Sequence, residues 1–152
     1  MHVISHDELR LQELNATNFY AVCQLSVKQE QKGYVDTNAI SMAEANFSDY
    51  VWMRGIYLNE VPVGFVMLNA HPEENTFYLW RFMIDKNYQG LGLGRSAIQL
   101  IVNELKATFN ATELTTSVVP AKDGPQQFYE CLGFKITGNY IEGRELELKL
   151  SI

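Results

Sequence analysis

Only two cysteines occur in 152 residues, and Cys23 and Cys131 lie too far apart for a CxxC or metal-ligand spacing. Both sit in apolar helical contexts and are read as buried free thiols of a reducing cytoplasm. The three histidines, His2, His6 and His71, form no ligand cluster, so no metal is expected. No apolar run approaches the roughly 18–20 residues that span a bilayer, which argues against a membrane partner. Residues Met1 to Glu8 lack the basic and apolar regions of a secretory signal. Cations are also in deficit, with 12 Lys and Arg against 18 Asp and Glu and a net charge of −6. Nonspecific nucleic-acid binding, which needs cations to neutralise phosphates, is thereby disfavoured. The same balance favours a cationic small molecule over an acidic one, although acidity also serves solubility alone. Repeats, linkers and low-complexity tracts are missing as well. At 47% hydrophobic, residues 1–152 are read as one domain with a substantial core.

What is present is an alternation of strand and helix patterns. Glu8–Glu13 alternates apolar and polar residues as a strand does. Asn15 or Thr17 can cap a helix running to about Lys28, with Phe19, Val22, Cys23 and Val27 on one side. A polar segment, 29–38, precedes a short helix from Ser41 to Phe47, where Ser41 and Glu44 have capping-box spacing. That segment is the natural place for a lid or substrate wall. Strands Trp52–Leu58 and Val63–Leu68 join through an Asn59-Glu60 turn, and His71–Asn75 turns into a strand at Thr76–Ile84. Ile98, Ile101, Val102 and Leu105 recur at helical spacing. Glu113–Val119 reads as a strand, Gly124–Leu132 as a short helix stopped by Gly133, and Phe134–Tyr140 and Glu145–Leu150 as a terminal pair. The order β-α-α-β-β-β-α-β-α-β-β implies a mixed α/β sheet.

Two motifs carry chemistry. Between the Thr76–Ile84 strand and the long helix lies Gln89-Gly-Leu-Gly-Leu-Gly94-Arg95. Glycines let backbone approach a ligand closely, and a helix N-terminus favours an anion such as a phosphate. The glycines at 90, 92 and 94 do not fit the dinucleotide G-x-G-x-x-G, and Gly94-Arg95-Ser96 does not complete a P-loop. What they satisfy is Gln/Arg-x-x-Gly-x-Gly/Ala, through Gln89, Gly92 and Gly94. The second motif, Gln126-Gln-Phe-Tyr129-Glu-Cys-Leu-Gly-Phe134, follows one strand later.

Together the two motifs resemble the GCN5-related N-acetyltransferases (the GNAT superfamily), over essentially the whole chain. That resemblance implies a sheet of mixed, mostly antiparallel strands, flanked by helices and splayed between its fourth and fifth strands, with acetyl-CoA in the opening. Those strands would be Tyr78–Ile84 and Glu113–Val119. It implies that backbone amides of Gln89, Gly90, Leu91, Gly92, Leu93, Gly94, Arg95 and Ser96 cradle the pyrophosphate. Phe82, Met83 and Ile84 would present main chain to pantetheine, with Arg95 and Lys86 as candidate phosphate contacts. Tyr129 matches the tyrosine that resembles a general acid, donating a proton to the departing thiolate.

Within the superfamily, Trp-Arg-Phe-Met-Ile-Asp, Tyr-Gln-Gly, Gly64–Met67 and Pro125 resemble spermine/spermidine and diamine acetyltransferases. Two departures stand against full identity. Lys122 occupies the place of a cofactor-contacting asparagine, and Trp80 that of an acid on the fourth strand. The implied acceptor is a primary amine on a small, polyamine-like cation; aminoglycosides and protein amines are alternatives, as is a noncatalytic CoA-binding module. A homodimer is compatible with the family. Glu30, Asp36, Glu44, Glu73 and Glu74 are the acids expected to line the acceptor side, and Tyr34, Phe47, Trp52 and Trp80 a candidate aromatic wall. Cys131 as an acyl-carrying nucleophile is discounted, because no cationic neighbour is apparent to lower its pKa.

Overall fold

Asparagine and glycine set the chain reversals. Asn59 (φ 56°) and Asn75 (φ 50°) take the left-handed conformation where strands turn back, and Glu142 (φ 52°) with Gly143 (φ 72°) closes the last hairpin. The computed structural model describes residues 8–152. Between these turns run β1 (Leu9–Gln12), α1 (Phe19–Cys23), α2 (Asn38–Ala45), β2 (Val51–Leu58), β3 (Val61–His71) and β4 (Thr76–Ile84). After them come α3 (Leu93–Phe109), β5 (Glu113–Val118), α4 (Gln126–Cys131), β6 (Lys135–Ile141) and β7 (Glu145–Ser151). The seven strands form one sheet in the order β1-β2-β3-β4-β5-β7-β6. Every pairing is antiparallel except β4 with β5, which is parallel and spanned by α3. The mixed sheet, its splay and the flanking helices are those expected.

Each face of the sheet is covered. On one, α3 buries Leu93, Ala97, Ile98, Ile101, Val102 and Leu105 against Val66, Leu68, Phe77, Leu79 and Leu114. Each such aliphatic contributes about 1.5–3 kcal/mol by leaving water. On the other, Val22 of α1 and Met42 of α2 pack on Tyr57, Phe65, Met67 and Met83. No helix among the described residues is long and apolar enough to cross a membrane.

Three expected elements differ. The helix expected to reach Lys28 is only Phe19–Cys23. Asn15 Oδ1 accepts from the Thr17 and Asn18 amides (2.8 and 3.0 Å), so its side chain makes a turn where a helix start was expected. Beyond α1 the chain is hooked to the end of β4. The Ser26 amide donates to Asp85 Oδ1 (2.9 Å), and the Lys86 amide donates to the Ser26 carbonyl (2.8 Å). The second helix starts earlier than expected, capped by Thr37, whose side chain accepts from the Ile40 amide (3.2 Å), while Ser41 is fully buried. β3 is longer than its apolar run, reaching His71. The cysteines are also less buried than expected: Cys23 is half-buried and Cys131 exposed.

Candidate active site

Only two rungs join β4 to β5, Tyr78 with Thr115 and Leu79 with Thr116; beyond them the strands part. The opening is a cleft of ≈ 1000 Å³, walled by Trp80–Ile84 on one side and Thr116–Val119 on the other. Separated strands leave main-chain donors and acceptors without a neighbour, which suits an extended ligand bearing amides.

The glycine loop lies at one end of this cleft. Asp85 prepares it: buried at 6% exposure, its carboxylate accepts from Ser26 and Asn87 and caps the single turn Lys86–Tyr88. Gly90 (φ 77°) and Gly92 (φ 79°) then take left-handed backbone, and Gly92 is the N-cap of α3. Helix geometry leaves the amides of Leu93, Gly94 and Arg95 without acceptors inside the helix. Gly94 answers a different need, since a Cβ there would meet the Phe128 ring at 3.2 Å. Gln89 spends its side chain on the protein, donating to the Ile84 carbonyl (2.9 Å) and exchanging two bonds with Gln31. Of the residues expected to bind cofactor, Phe82, Met83, Ile84, Gln89, Gly90, Gly92, Leu93, Gly94 and Arg95 line the cleft. Leu91, Ser96 and Lys86 are not on its wall; Ser96 borders a separate cavity of ≈ 410 Å³. Lys32, not expected from the sequence, is on the wall.

Tyr129 comes from α4 and lines the same cleft at 7% exposure. Phe128 and Phe134 hold its ring edge-on at 5.1 and 5.3 Å, and Phe128 stacks on Phe82. The turn after α4 closes by Gly133 and Phe134 amides donating to the Glu130 and Tyr129 carbonyls (3.0 and 3.1 Å). Burial pushes the Tyr129 phenol well above its ordinary pKa; a hydrogen bond with Thr116 opposes the shift, and nearby Tyr78 adds to it. The phenol is therefore neutral at any physiological pH, and a weaker acid than free tyrosine.

The opposite face of the opening is shaped by a bulge. Met67 pairs with Arg81 but Leu68 with Leu79, so Trp80 is the extra residue in β4. Phe77 and Leu79 before it, and Phe82 and Ile84 after it, all reach the α3-side core, so the alternation changes phase. Arg81 consequently meets the α2 side, donating to Asp36 (2.8 Å) and Glu44 (3.2 Å). Its guanidinium also stands 5.3 Å from the Trp80 ring. Tyr34 crosses toward the far wall, where a Cβ on Gly124 would lie 3.4 Å from its ring. Tyr78 hydrogen-bonds Ser117, which donates to Glu145 (3.3 Å), and all three line the cleft.

The acceptor-side expectations divide. Asp36, Glu44, Tyr34 and Trp80 line the cleft, whereas Glu30, Glu73 and Glu74 do not. Phe47 is 91% exposed, and Trp52 is buried in the sheet core under Arg54. Phe47 lies in the turn after α2 and Trp52 turns to the α3 side of the sheet, placements that neither residue's local sequence states. Arg81, Tyr78, Ser117 and Glu145 escaped sequence reading. Their partners lie 28 to 45 residues away, and no local spacing marks them. Among the described residues no cluster of three His, Cys, Asp or Glu could hold a metal.

Comparison with known proteins bears on this geometry. The family model described as "Acetyltransferase (GNAT) family" matches residues 10–134. The spermine/spermidine N(1)-acetyltransferase of Bacillus subtilis is 25% identical over 136 residues, covering 86% of this chain and 90% of that protein. A spermidine N-acetyltransferase from Vibrio cholerae, solved with CoA and spermine, superposes with TM-score 0.74 at 16% identity, covering 95% of this chain and 96% of that one. An acetyl transferase from Salmonella typhimurium that modifies the N-terminal serine of ribosomal protein L7/L12 superposes with TM-score 0.78 at 15% identity, covering 99% of each chain.

Proposed function

The chain belongs to the acetyltransferase (GNAT) family, and from that premise we propose that it is an acetyl-CoA-dependent N-acetyltransferase. Its acceptor is a primary amine on a small cationic molecule, and transfer is direct, within a ternary complex. One observation carries the reading. The glycine loop and Tyr129 open onto the same cleft, at the seam where β4 and β5 separate.

Bound acetyl-CoA supplies an activated thioester carbonyl. The chain's own residues do the rest. Amides of the glycine loop and the α3 N-terminus bind the pyrophosphate, assisted by Lys32 and Arg95. The free edges of β4 and β5 hold the pantetheine arm and aim its end at the two-rung seam. Tyr129 directs its hydroxyl at the departing sulfur. Because burial raises its pKa, its main contribution is a hydrogen bond that strengthens as charge develops on sulfur, with the proton following late.

Charge supports a cationic acceptor. Five carboxylates line the cleft, Asp36, Glu44, Asp123, Glu142 and Glu145, against Lys32, Arg81, Arg95 and Arg144. The Bacillus relative, named for spermine and spermidine, points the same way. An amine panel with acetyl-CoA, followed by thiol release, tests the proposal. Spermidine, spermine and short diamines are expected to turn over. Turnover confined to peptide N-termini or acidic amino acids would overturn the acceptor class and leave the transferase reading standing.

A further inference from the structure

Three cleft-lining side chains have no part in cofactor binding or in protonating the leaving sulfur. Tyr78 on β4, Ser117 on β5 and Glu145 on β7 form one hydrogen-bonded row across three strands. Its polarity follows from the groups themselves. An ionised carboxylate only accepts, so the Ser117 proton is committed to Glu145, and Tyr78 must then be the donor to Ser117 Oγ. The row begins at the last β4 residues still paired to β5, beside the point where the cleft opens. Tyr78 lies close enough to Tyr129 that ionising one phenol disfavours ionising the other. Two phenols thus attend the seam, one from α4 and one from the strand.

Resting on the acetyltransferase reading, we propose that Tyr78, Ser117 and Glu145 form the relay that removes the proton from the acceptor amine. As the nitrogen–carbon bond forms, the nitrogen sheds a proton to the Tyr78 oxygen. The Tyr78 proton passes to Ser117 Oγ, and the Ser117 proton passes to Glu145. Glu145 ends as the neutral acid and returns its proton to solvent after product leaves. A protonated amine has no lone pair, so the acceptor attacks as the small free-base fraction that solvent supplies, and the relay takes a proton only after that attack. The nitrogen becomes far more acidic once it bonds to the carbonyl carbon, which is when the relay acts. Burial keeps Tyr78 protonated at rest, as a relay member must be. The charged groups facing it are Glu145, Arg81 and Glu142. This assignment provides a route for deprotonation in a chain that carries Trp80, not an acid, in the middle of β4. Of the other cleft acids, Asp36 and Glu44 are already held by Arg81.

The test uses the full-length enzyme, acetyl-CoA and the best amine of the panel. Glu145→Ala and Ser117→Ala are each expected to lower kcat by about 10²-fold or more, the scale of a lost acid–base group. Formate or acetate added to Glu145→Ala is expected to restore part of the rate, a response that lost packing would not give. Glu147→Gln serves as the control, since Glu147 bonds Thr137 and Asn139 and does not line the cleft. CoA-induced stabilisation of each variant confirms folding; a Glu145→Ala protein that fails this check is replaced by Glu145→Gln, which keeps the side-chain shape, and a failing Ser117→Ala by Ser117→Cys, each with the same expectation for kcat. Folded variants of Glu145 or Ser117 within twofold of wild type, or a slow Glu145→Ala indifferent to formate and acetate, would overturn the relay and leave the transferase intact. A wild type that acetylates no amine would sink the transferase reading, and the relay with it.

Discussion

The side-chain amides of Gln31 and Gln89 exchange two hydrogen bonds, 3.0 and 2.9 Å, across 58 residues of sequence. The orientation of Gln89 is fixed, because the same nitrogen donates to the Ile84 carbonyl and only an amide nitrogen can do so. The polar segment after α1 is thereby fastened to the residue that opens the glycine loop. Gln31→Ala should loosen that loop while leaving its glycines and the α3 N-terminus unchanged. With a net hydrogen bond near 1 kcal/mol, CoA affinity is expected to fall roughly fivefold. Calorimetric titration of CoA into the two proteins measures it.

Gly92 separates strain from charge. Its left-handed φ of 79° means that Gly92→Ala costs stability by backbone alone, about 1 kcal/mol. Gly92→Glu adds a carboxylate where the pyrophosphate is expected. CoA should raise the melting temperature of wild type and of Gly92→Ala but not of Gly92→Glu. An equal shift in all three would remove the loop from phosphate binding.

Tyr129→Phe should fold, bind CoA and turn over about 10²–10⁴-fold more slowly where chemistry limits the rate. It should also change alkaline behaviour. Burial lifts the Tyr129 phenol above its ordinary 10.0, and Tyr78 likewise. A raised native pKa means that the folded state holds its proton more tightly. The associated stability is complete below pH ~10 and is lost as pH rises toward the folded-state values. Tyr129→Phe should therefore lose less stability than wild type between about pH 10 and 12, as measured by urea denaturation.

Arg81 ties β4 to α2 through Asp36 and Glu44, with 16% of its own side chain exposed and 54% and 38% of theirs. Because the acids are wet, solvent screening reduces the pairing, and Arg81→Met is expected to cost about 1–2 kcal/mol. That corresponds to a melting temperature roughly 2–8 °C lower for a chain of this size. Glu44→Gln in the Arg81→Met background should cost less than Glu44→Gln alone, and a double-mutant cycle reads the difference.

Sequence legibility followed the range of the forces involved. β4 begins and ends at Thr76 and Ile84 as its pattern predicts, and Ile98, Ile101, Val102 and Leu105 form the buried stripe of α3. Both are local periodicities. The helix over 15–28 failed because Asp85, 59 residues away in sequence, captures the Ser26 amide. The bulge at Trp80 was equally invisible, being a mismatch between two strands and not a property of either. Glu145 reads in sequence as one tooth of the alternation Glu145-Leu-Glu-Leu; only the neighbouring β5 reveals that it faces Ser117. Motif residues were legible because their chemistry requires them in a fixed order; the acceptor side is assembled from separate segments and has no such order.

The two-rung seam between β4 and β5 also makes the molecule a pair of blocks sharing one helix. β1–β4 form one raft and β5–β7 another, with α3 lashed beneath both. Backbone hydrogen bonds contribute little where the rafts meet, so shear between them is opposed by the buried stripe of α3 and by side-chain bonds across the seam, Thr115 to Phe77, Thr116 to Leu79 and Tyr78 with Ser117. A long ligand laid in the gap would bond to both edges and supply the rungs that the polypeptide omits. Occupancy would then be felt throughout the sheet as rigidity, and amides lining both edges, 80–84 and 117–119, would exchange with solvent more slowly once the slot is filled.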